Sequence, residues 1–281
     1  MIPLLEPYIS RCDPYLDLSK ANQYNLTIQF ALGGFSFVVS DATTHEPVML
    51  EDYKSADWNT EDKLLEGLRQ TMEQKTLTSL SFNKAYIAYE SSYNIFVPSA
   101  LFTPDEASTF LHFLHHKDVN AGTRADKMRN IDAYNIYPMT RHIADKMECL
   151  WDNVNIKHQS SLLVDTIVEK ENNDETTLYV YTKERNFDVI VMQNNNMLFF
   201  NNFKFNSKDD FLYFIVSTME QLHLDIHDTP VVFMGSIMPN SEVVSVCEHY
   251  IGRLSFAKSS TESNSLVKGL PYHSYYIILN Q

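Results

Sequence analysis

The sequence predicts an α/β protein built from two similar units, each with a sheet of mixed strand direction. Runs of β-branched and aromatic residues, typical of buried strands, recur along the 281 residues. In each half of the chain, three such runs precede a segment with helical periodicity, and a fourth run follows it. Corresponding positions in the two halves keep a nearly constant separation, which indicates that one order of elements is repeated.

The first unit opens with two strand-like runs, at 26–32 and 35–39, separated by Gly33 and Gly34. A glycine pair at this place predicts a two-residue hairpin turn, because both turn positions require positive φ. The remaining elements of the unit are a third strand at 48–50, a helix at 59–74 and a fourth strand at 85–89.

The second unit repeats this order, with Leu178 and Phe187 lying 152 positions after Leu26 and Phe35. Three consecutive asparagines at 194–196 predict a hairpin turn here, because asparagine tolerates the left-handed region. The elements of this unit are expected at 178–181, 187–191 and 197–200, then a helix at 206–222 and a strand at 231–235.

Capping residues support the helix assignments. Ser207 begins the helix of the second unit and Asp210 follows three residues later, as in a capping box. Thr103, followed by Pro104 and Glu106, is a second start signal. Further helices are expected at 103–115, 140–151, 160–169 and 241–250, strands at 254–256 and 275–279, and loops at 116–129 and 258–264.

We expect the chain to divide into a first subdomain at 1–158, which includes an N-terminal extension, and a second at 159–281. Apolar residues recur at helical spacing in the helix of the second unit and should face its sheet. They are Phe211, Ile215, Met219 and Leu222.

Three antiparallel strands, a crossover helix and a fourth strand parallel to the first resemble a ribonuclease-H-like unit. Two such units in one chain, over residues 26–256, resemble the actin-like ATPase superfamily. The resemblance implies two mixed five-stranded sheets with flanking helices and a cleft between them. The small size is similar to that of PilM-like pilus-assembly proteins and GspL-like type II secretion proteins of the cytoplasm. The stretch 199–235 also resembles an uncharacterised bacterial family with this duplicated fold.

The resemblance implies where a nucleotide would bind. Gly33 and Gly34 would lie near the phosphates, and Gly235 and Ser236 near the adenosine. This chain departs from the pattern at two of three places. The first strand carries Gln29 and its neighbours where an acidic residue is expected, and the hairpin at 182–186 has neither Gly nor Asp. Since such acids hold Mg²⁺ and glycines expose backbone donors, phosphoryl transfer lacks its charge-neutralising groups.

We therefore expect a non-catalytic binding or scaffold protein with no catalytic residues, no metal and no cofactor. The alternative is a nucleotide-binding protein or weak ATPase that holds ATP with Mg²⁺ in the cleft, through the four residues named above. A third interpretation is a regulatory protein with a small-molecule effector in that cleft. The pilus and secretion resemblance implies a protein or peptide partner.

The charge balance excludes other classes. The chain has 36 acidic and 22 basic residues, a net charge of −14, which disfavours nucleic acids and anionic membranes. A ribonuclease-H-type nuclease needs carboxylates on the first central strand, and residues 26–32 contain none. The N-terminus lacks signal-peptide features, no apolar run reaches membrane-spanning length, and Cys12, Cys149 and Cys247 are widely separated. We therefore expect a cytoplasmic protein.

Two histidine groups suggest metal binding at first sight. His112, His115 and His116 have helical spacing, and the segment 223–228 mixes histidines with aspartates. Neither group has an evident further ligand at metal-site spacing. We interpret the first as a solvated helix end and the second as a polar connection.

Overall fold

The computed structural model describes residues 5–91, 93–114, 122–151, 153–171, 174–184, 186–258 and 266–281. Its strands are β1 (Ile9–Cys12), β2 (Tyr24–Ala31), β3 (Gly34–Asp41), β4 (Pro47–Lys54), β5 (Lys84–Tyr89), β6 (Ile95–Pro98), β7 (Thr123–Lys127), β8 (Ala133–Pro138), β9 (Val154–His158), β10 (Thr177–Thr182), β11 (Asn186–Gln193), β12 (Asn196–Lys204), β13 (Pro230–Gly235) and β14 (Arg253–Phe256). Its helices are α1 (Glu61–Gln74), α2 (Ala107–Leu114), α3 (Arg141–Glu148), α4 (Gln159–Lys170), α5 (Lys208–Gln221) and α6 (Glu242–Tyr250).

The two large sheets repeat one strand order. The first runs β1-β4-β3-β2-β5-β9 and the second β12-β11-β10-β13-β14. In each, the central strand pairs antiparallel on one side and parallel on the other: β2 with β3 and β5, β10 with β11 and β13. This is the predicted fold class, with one difference. The first sheet has six strands rather than five, because β1 pairs with the outer edge of β4.

The first hairpin turns one residue earlier than predicted. Leu32 and Gly33 form the turn, and only Gly33 has positive φ, at 91°. Gly34 begins β3, where a Cβ atom would overlap the Tyr53 carbonyl oxygen. The asparagine turn is confirmed, since Asn194 and Asn195 join β11 to β12 with φ of 49° and 58°.

The predicted caps at Ser207 and Ser241 are confirmed. Ser207 accepts a hydrogen bond from the Asp210 amide, and the Asp210 side chain accepts one from the Ser207 amide, which completes the capping box. Ser241 accepts a hydrogen bond from the Val244 amide at the start of α6. Thr103 makes no such bond to the backbone: it precedes a 3-10 turn, Pro104–Glu106, and α2 begins only after that turn, at Ala107.

Two predictions of local structure are wrong. The predicted loop at 116–129 contains β7, which forms a small sheet of order β6-β8-β7. Its residues are half-buried or exposed at the edge of the sheet, and its Asp126 accepts hydrogen bonds from the His158 amide and the Ser161 hydroxyl, so it lacks the apolar alternation of a buried strand. The expected final strand at 275–279 is instead part of two 3-10 turns, Tyr272–Tyr275 and Ile278–Asn280. Of the predicted loop at 258–264, all but Lys258 lies outside the described residues.

Each large sheet is covered on one face by a segment from the other unit. In both cases that segment follows the last strand of its own sheet. Helix α4 follows β9 of the first sheet, and its Leu163 packs in a core with Tyr179 and Ile190 of the second. The C-terminal turns follow β14, and their Tyr275 and Ile278 pack on β3 and β4 of the first. The two units therefore share their cores. The division of the chain at residue 158 stays a prediction.

Replacing Phe211 by Ala should lower the free energy of unfolding by about 3–5 kcal/mol, because it leaves a cavity in a packed aromatic cluster. Phe211 is fully buried, and its ring centroid lies 4.3 Å from that of Phe187 and 5.9 Å from that of Phe233. Urea denaturation measures the change. Tyr213, which is 64% exposed on the same helix, provides the control, and Tyr213→Ala should change the stability little. Equal losses in both variants would contradict the assigned helix face.

Candidate functional site

The two central strands meet at a contact between corresponding residues. Gln29 of β2 donates from its Nε2 to the Tyr181 hydroxyl of β10 at 3.0 Å, and to Gln159 Oε1 at 3.2 Å. Gln29 and Tyr181 lie 152 positions apart, the same separation as Leu26 and Leu178. The contact therefore lies near the pseudo-two-fold axis that relates the two units. It is also next to the carboxyl-terminal ends of both strands, where the predicted site residues lie.

A buried ion pair lies beside this contact. Lys183, which follows β10, places its Nζ 3.1 Å from the carboxylate of Asp188 on β11, and both side chains are almost fully buried. Asp188 also accepts hydrogen bonds from the Ser160 hydroxyl at 2.8 Å and the Asn202 side-chain amide at 2.6 Å. The carboxylate thus has three donors, as a charge in a low-dielectric interior requires.

A second carboxyl group faces this pair from the first unit. Glu90 follows β5, and burial raises its pKa, while Lys183 acts in the opposite direction. Burial opposes the charge on Lys183, but Asp188 and Glu90 outweigh it, so the pKa of Lys183 is raised. The lysine charge is therefore paired with Asp188, and the nearby carboxyl group of Glu90 from the first unit favours it further. It is directed into the protein rather than towards a bound anion.

His158, at the end of β9, is a neutral buried ring. Its Nδ1 accepts a hydrogen bond from the Ser160 amide at 3.1 Å, and its Nε2 lies 3.0 Å from the Ser91 hydroxyl and 3.4 Å from the Ser91 amide. Burial, aided by the charge of Lys183, holds the pKa of His158 well below its ordinary value. The Ser91 hydroxyl donates to the Tyr93 carbonyl oxygen at 2.7 Å. Its proton is therefore directed to Tyr93 rather than to the ring, unlike that of the nucleophile in a nucleophile–base pair.

The backbone donors at all three predicted nucleotide positions already have partners. The Gly33 amide donates to the Trp58 carbonyl oxygen at 3.0 Å, and the Lys183 amide to that of Asn186 at 2.8 Å. The Ser236 amide donates to the Thr182 carbonyl oxygen at 2.7 Å. None of these three amides is free to bind a phosphate oxygen without breaking an internal hydrogen bond.

Packing accounts for the remaining two predicted glycines. Gly235 has a φ of 81°, and a Cβ atom there would overlap the backbone of Thr182 on β10. Gly34 is required by its close approach to Tyr53. Gly33 and Gly34 therefore belong to the first hairpin, and Gly235 and Ser236 to the end of β13, each with a structural role in its own sheet.

Gln29 was noted in the sequence as the replacement of an expected acid, whereas Asp188, Ser160 and Gln159 were not singled out. Asp188 could have been recognised from the sequence, because a carboxylate within the apolar strand of residues 187–191 requires a partner in the interior. Ser160 and Gln159 could not, since polar residues are common in the first turn of a helix. Arg185, in the hairpin between β10 and β11, lies outside the described residues.

The histidine groups have structural roles where they are described. On α2, His112 Nδ1 contacts the Ser108 carbonyl oxygen at 2.8 Å, while His115 and His116 lie outside the described residues. In the segment 223–228, the Asp225 carboxylate accepts hydrogen bonds from the backbone of the two residues that follow Ile226. Over the described ranges, no group of three ligating side chains could hold a metal ion. Nor does any helix in those ranges have the length and apolar character needed to cross a membrane.

Comparison with known proteins places the chain in a structural context. The family model for proteins of unknown function DUF3822 matches residues 13–254. A Bacteroides thetaiotaomicron protein with actin-like ATPase fold and unknown function superposes with a TM-score of 0.77 over 95% of this chain and 99% of that chain, at 14% identity. A search of curated proteins finds no significant match.

Two further solved structures share the fold. A chain of the PilM–PilN type IV pilus biogenesis complex gives a TM-score of 0.56 at 9% identity, covering 91% of this chain and 96% of that chain. The ethanolamine utilization protein EutJ from Carboxydothermus hydrogenoformans gives 0.51 at 8% identity, covering 96% and 92%. These likenesses establish the actin-like ATPase fold and confirm the predicted PilM-like resemblance.

Removing one member of the buried ion pair should destabilise the protein strongly. Lys183→Met leaves the Asp188 carboxylate buried without its cation, and we expect a loss of about 3–5 kcal/mol in the free energy of unfolding. The double variant Lys183→Met, Asp188→Asn removes both charges and should recover part of that loss. Lys208→Met breaks an exposed pair with Glu242 and should cost less than about 1 kcal/mol. Equal small losses in all three would contradict the assigned burial.

Acid should destabilise the protein through His158. Below pH 6.5 the unfolded chain binds a proton at this ring, whereas the folded chain does not, because its pKa is far lower. Between pH 7.5 and 5.0 this contributes a loss of about 2 kcal/mol in the free energy of unfolding. His158→Asn keeps a capping acceptor for α4 and should remove that part of the pH dependence in denaturant titrations. Exposed His249→Gln should leave the pH dependence unchanged.

Proposed function

Because the chain belongs to the DUF3822 family of proteins of unknown function and has the actin-like ATPase fold, we propose that it is a non-catalytic scaffold that binds another protein. In this proposal the two units form a rigid scaffold. Internal contacts fill the region between the units, and the partner binds to an outer surface.

One observation carries the proposal. The Lys183 ammonium and the three amides at the predicted nucleotide positions are bonded within the protein. A triphosphate would have to displace those partners, and separating the buried Lys183–Asp188 pair alone costs several kcal/mol. The acidic residue expected on β2 to hold Mg²⁺ is replaced by Gln29, which bonds Tyr181 instead.

The shared cores support a rigid scaffold. Helix α4 and the C-terminal turns each cross to the other unit's sheet, and the hydroxyl of Tyr275 donates to Asp52 at 3.0 Å. Opening the two units against each other would expose both cores to water, which is unfavourable in proportion to the apolar area exposed. A binding protein has no need of such opening, whereas a nucleotide-driven cycle would require it.

A protein partner is supported by the structural neighbours. The PilM neighbour is found in a complex with PilN. We propose that this chain likewise acts through a protein or peptide partner rather than a metabolite. Cys12, Cys149 and Cys247 are all free thiols, two of them exposed, which fits a reducing compartment such as the cytoplasm.

A small polar effector is a second candidate function, favoured by a separate observation. Buried polar atoms of Gln29, Gln159 and Thr182 have no hydrogen-bond partner within the described part of the chain. The side chains of Gln29 and Gln159 meet at the contact between the two units, and unpaired buried polar atoms there can bond a polar ligand. A small hydrogen-bonding molecule would satisfy them without displacing Lys183.

Calorimetric titration with ATP and Mg²⁺ tests the scaffold proposal. We expect no binding heat, no magnesium-dependent rise in melting temperature and no ATP hydrolysis above background. Binding at a ligand concentration a hundredfold above Kd would add about 2.7 kcal/mol to the stability, which a melting curve detects.

A control variant distinguishes specific nucleotide binding from general effects. The Gly33 position has open space for a side chain, and although its φ of 91° strains any residue with a Cβ atom, aspartate is among those that most readily adopt positive φ. Gly33→Asp would place a negative charge where the phosphates of the superfamily lie. A magnesium-dependent upshift that Gly33→Asp abolishes would overturn the scaffold proposal in favour of a nucleotide-binding protein.

A further inference from the structure

The outer edges of the two large sheets differ in one respect. In the first sheet, β1 covers β4, and the Asp13 amide donates to the Val48 carbonyl oxygen at 2.8 Å. In the second sheet, β12 occupies the position that β4 has in the first, and among the described strands none pairs with its outer edge. The first unit therefore shows that an added antiparallel strand fits at this place in the fold.

The register identifies the corresponding residues. Phe37 of β3 pairs with Glu51 of β4, and Val189 of β11, 152 positions after Phe37, pairs with Asn201 of β12. Residues of β4 thus correspond to residues of β12 that lie 150 positions later. The stretch Met49–Asp52, which pairs with β1, corresponds to Phe199–Asn202.

A groove of about 360 Å³ runs along this same stretch of β12. Its walls are Asn94–Phe96, which includes the start of edge strand β6, and Met197–Asn202 of β12. Side chains alternate between the faces of a strand, so a lining of consecutive residues means that the groove follows the strand edges. The rings of Phe96 and Phe200 meet edge to face at a centroid distance of 4.6 Å and form an apolar contact within the groove.

Two polar groups of the groove face outward from the β11–β12 ladder or lack a partner. The Asn202 amide donates to its neighbour's Oδ1, that of Asn201, at 2.9 Å, so it is directed away from β11, and an added strand would replace this local bond. Asn94 is 6% exposed, and its Oδ1 has no partner among the described residues. Sheet edges are commonly protected by lysine or proline, and Phe199–Asn202 contains neither.

We propose that the open edge of β12 takes up an extended segment of a partner protein, which adds as an antiparallel sixth strand alongside Phe199–Asn202. This inference rests on the proposed scaffold function and specifies where and how the partner binds. Main-chain hydrogen bonds to the edge provide affinity, and side-chain contacts on alternate faces provide specificity. The wall at Asn94–Phe96 obstructs the approach of a second copy's sheet, which favours a single segment over an edge-to-edge dimer.

The groove and the net charge define the chemistry of the segment. Residues opposite Phe199 and Phe200 should be apolar, and the residue opposite Asn201 should carry a hydrogen-bonding group, as Ser10 does opposite Glu51 in the first sheet. Because the chain has a net charge of −14, the segment should also carry lysine or arginine, which accelerates its association at low salt.

Selection from a phage-displayed library of random twelve-residue peptides tests the proposal, with the full-length protein as bait. We expect enriched peptides with two adjacent apolar residues, which would lie opposite Phe199 and Phe200, and at least one basic residue. Hydrogen exchange with a bound synthetic peptide should show protection concentrated in β12. The affinity should fall as salt is added.

Two matched substitutions locate the binding surface. Leu198 is 51% exposed in the groove, and Leu198→Lys introduces a charge that protects the edge and repels a basic segment, so affinity should fall by about tenfold or more. Tyr213→Lys makes the same kind of change on α5, outside the groove lining, and should leave affinity unchanged. If thermal melting shows that Leu198→Lys is unfolded, Phe96→Ala tests the opposite wall of the groove, and we expect the same loss of peptide affinity.

Three outcomes would overturn the inference. They are the absence of any enriched peptide, equal binding to the wild type and the groove variant, and a sedimentation result in which a dimer dissociates on Leu198→Lys. The last would assign the edge to a second copy. Peptides that bind outside the groove would contradict the groove as the binding site but not the scaffold function. Binding of ATP would contradict the scaffold function but not peptide binding in the groove, so the two failures are distinguishable.

Discussion

The carboxylate of Asp188 lies in the protein interior, where an unpaired charge is unstable. The elements around it are arranged so that each supplies a hydrogen-bond donor to this carboxylate. Lys183 from the hairpin, Ser160 from α4 and Asn202 from β12 all bond to it. These contacts join three separate elements to β11, and the cost of losing any donor is high in a low-dielectric environment. The position of the hairpin, of α4 and of β12 relative to one another is thereby defined.

The same network connects the interior to the surface. Asn202 bonds Asp188 with its side chain, while its backbone amide is directed away from the β11 ladder. The register of β12, and with it the orientation of its open edge, is therefore set in part by the buried charge.

Local patterns predicted most elements because their causes are local. The caps at Ser207 and Ser241 and the turn at Asn194 and Asn195 follow from short-range backbone rules, whereas the strand order within the sheets was expected from the ribonuclease-H-like resemblance. The failures have the opposite character. Strand β7 is polar because it lies half-buried or exposed at a sheet edge, and the C-terminal turns are apolar because they cover another unit's sheet, so neither follows the usual patterns.

The candidate site was predictable in part. The loss of an acid at Gln29 and of glycine in the 182–186 hairpin was evident from the resemblance, and it directed attention to the ends of β2 and β10. That Lys183 is directed inward to Asp188, and that Glu90 faces it from the first unit, could not be inferred, because the spacing along the chain does not specify side-chain direction in a hairpin.

The sequence by itself determined the class of the fold, the repeated order of strands and the start of most helices, since these depend on periodicity and on hydrogen bonds between near neighbours. Only the tertiary structure decided which segment covers which sheet, which buried charges are paired, and which sheet edge is left open. Those features depend on contacts such as that of Gln29 with Tyr181, between residues 152 positions apart. Such contacts form because a folded core must bury apolar faces and pair polar groups, whatever their separation along the chain.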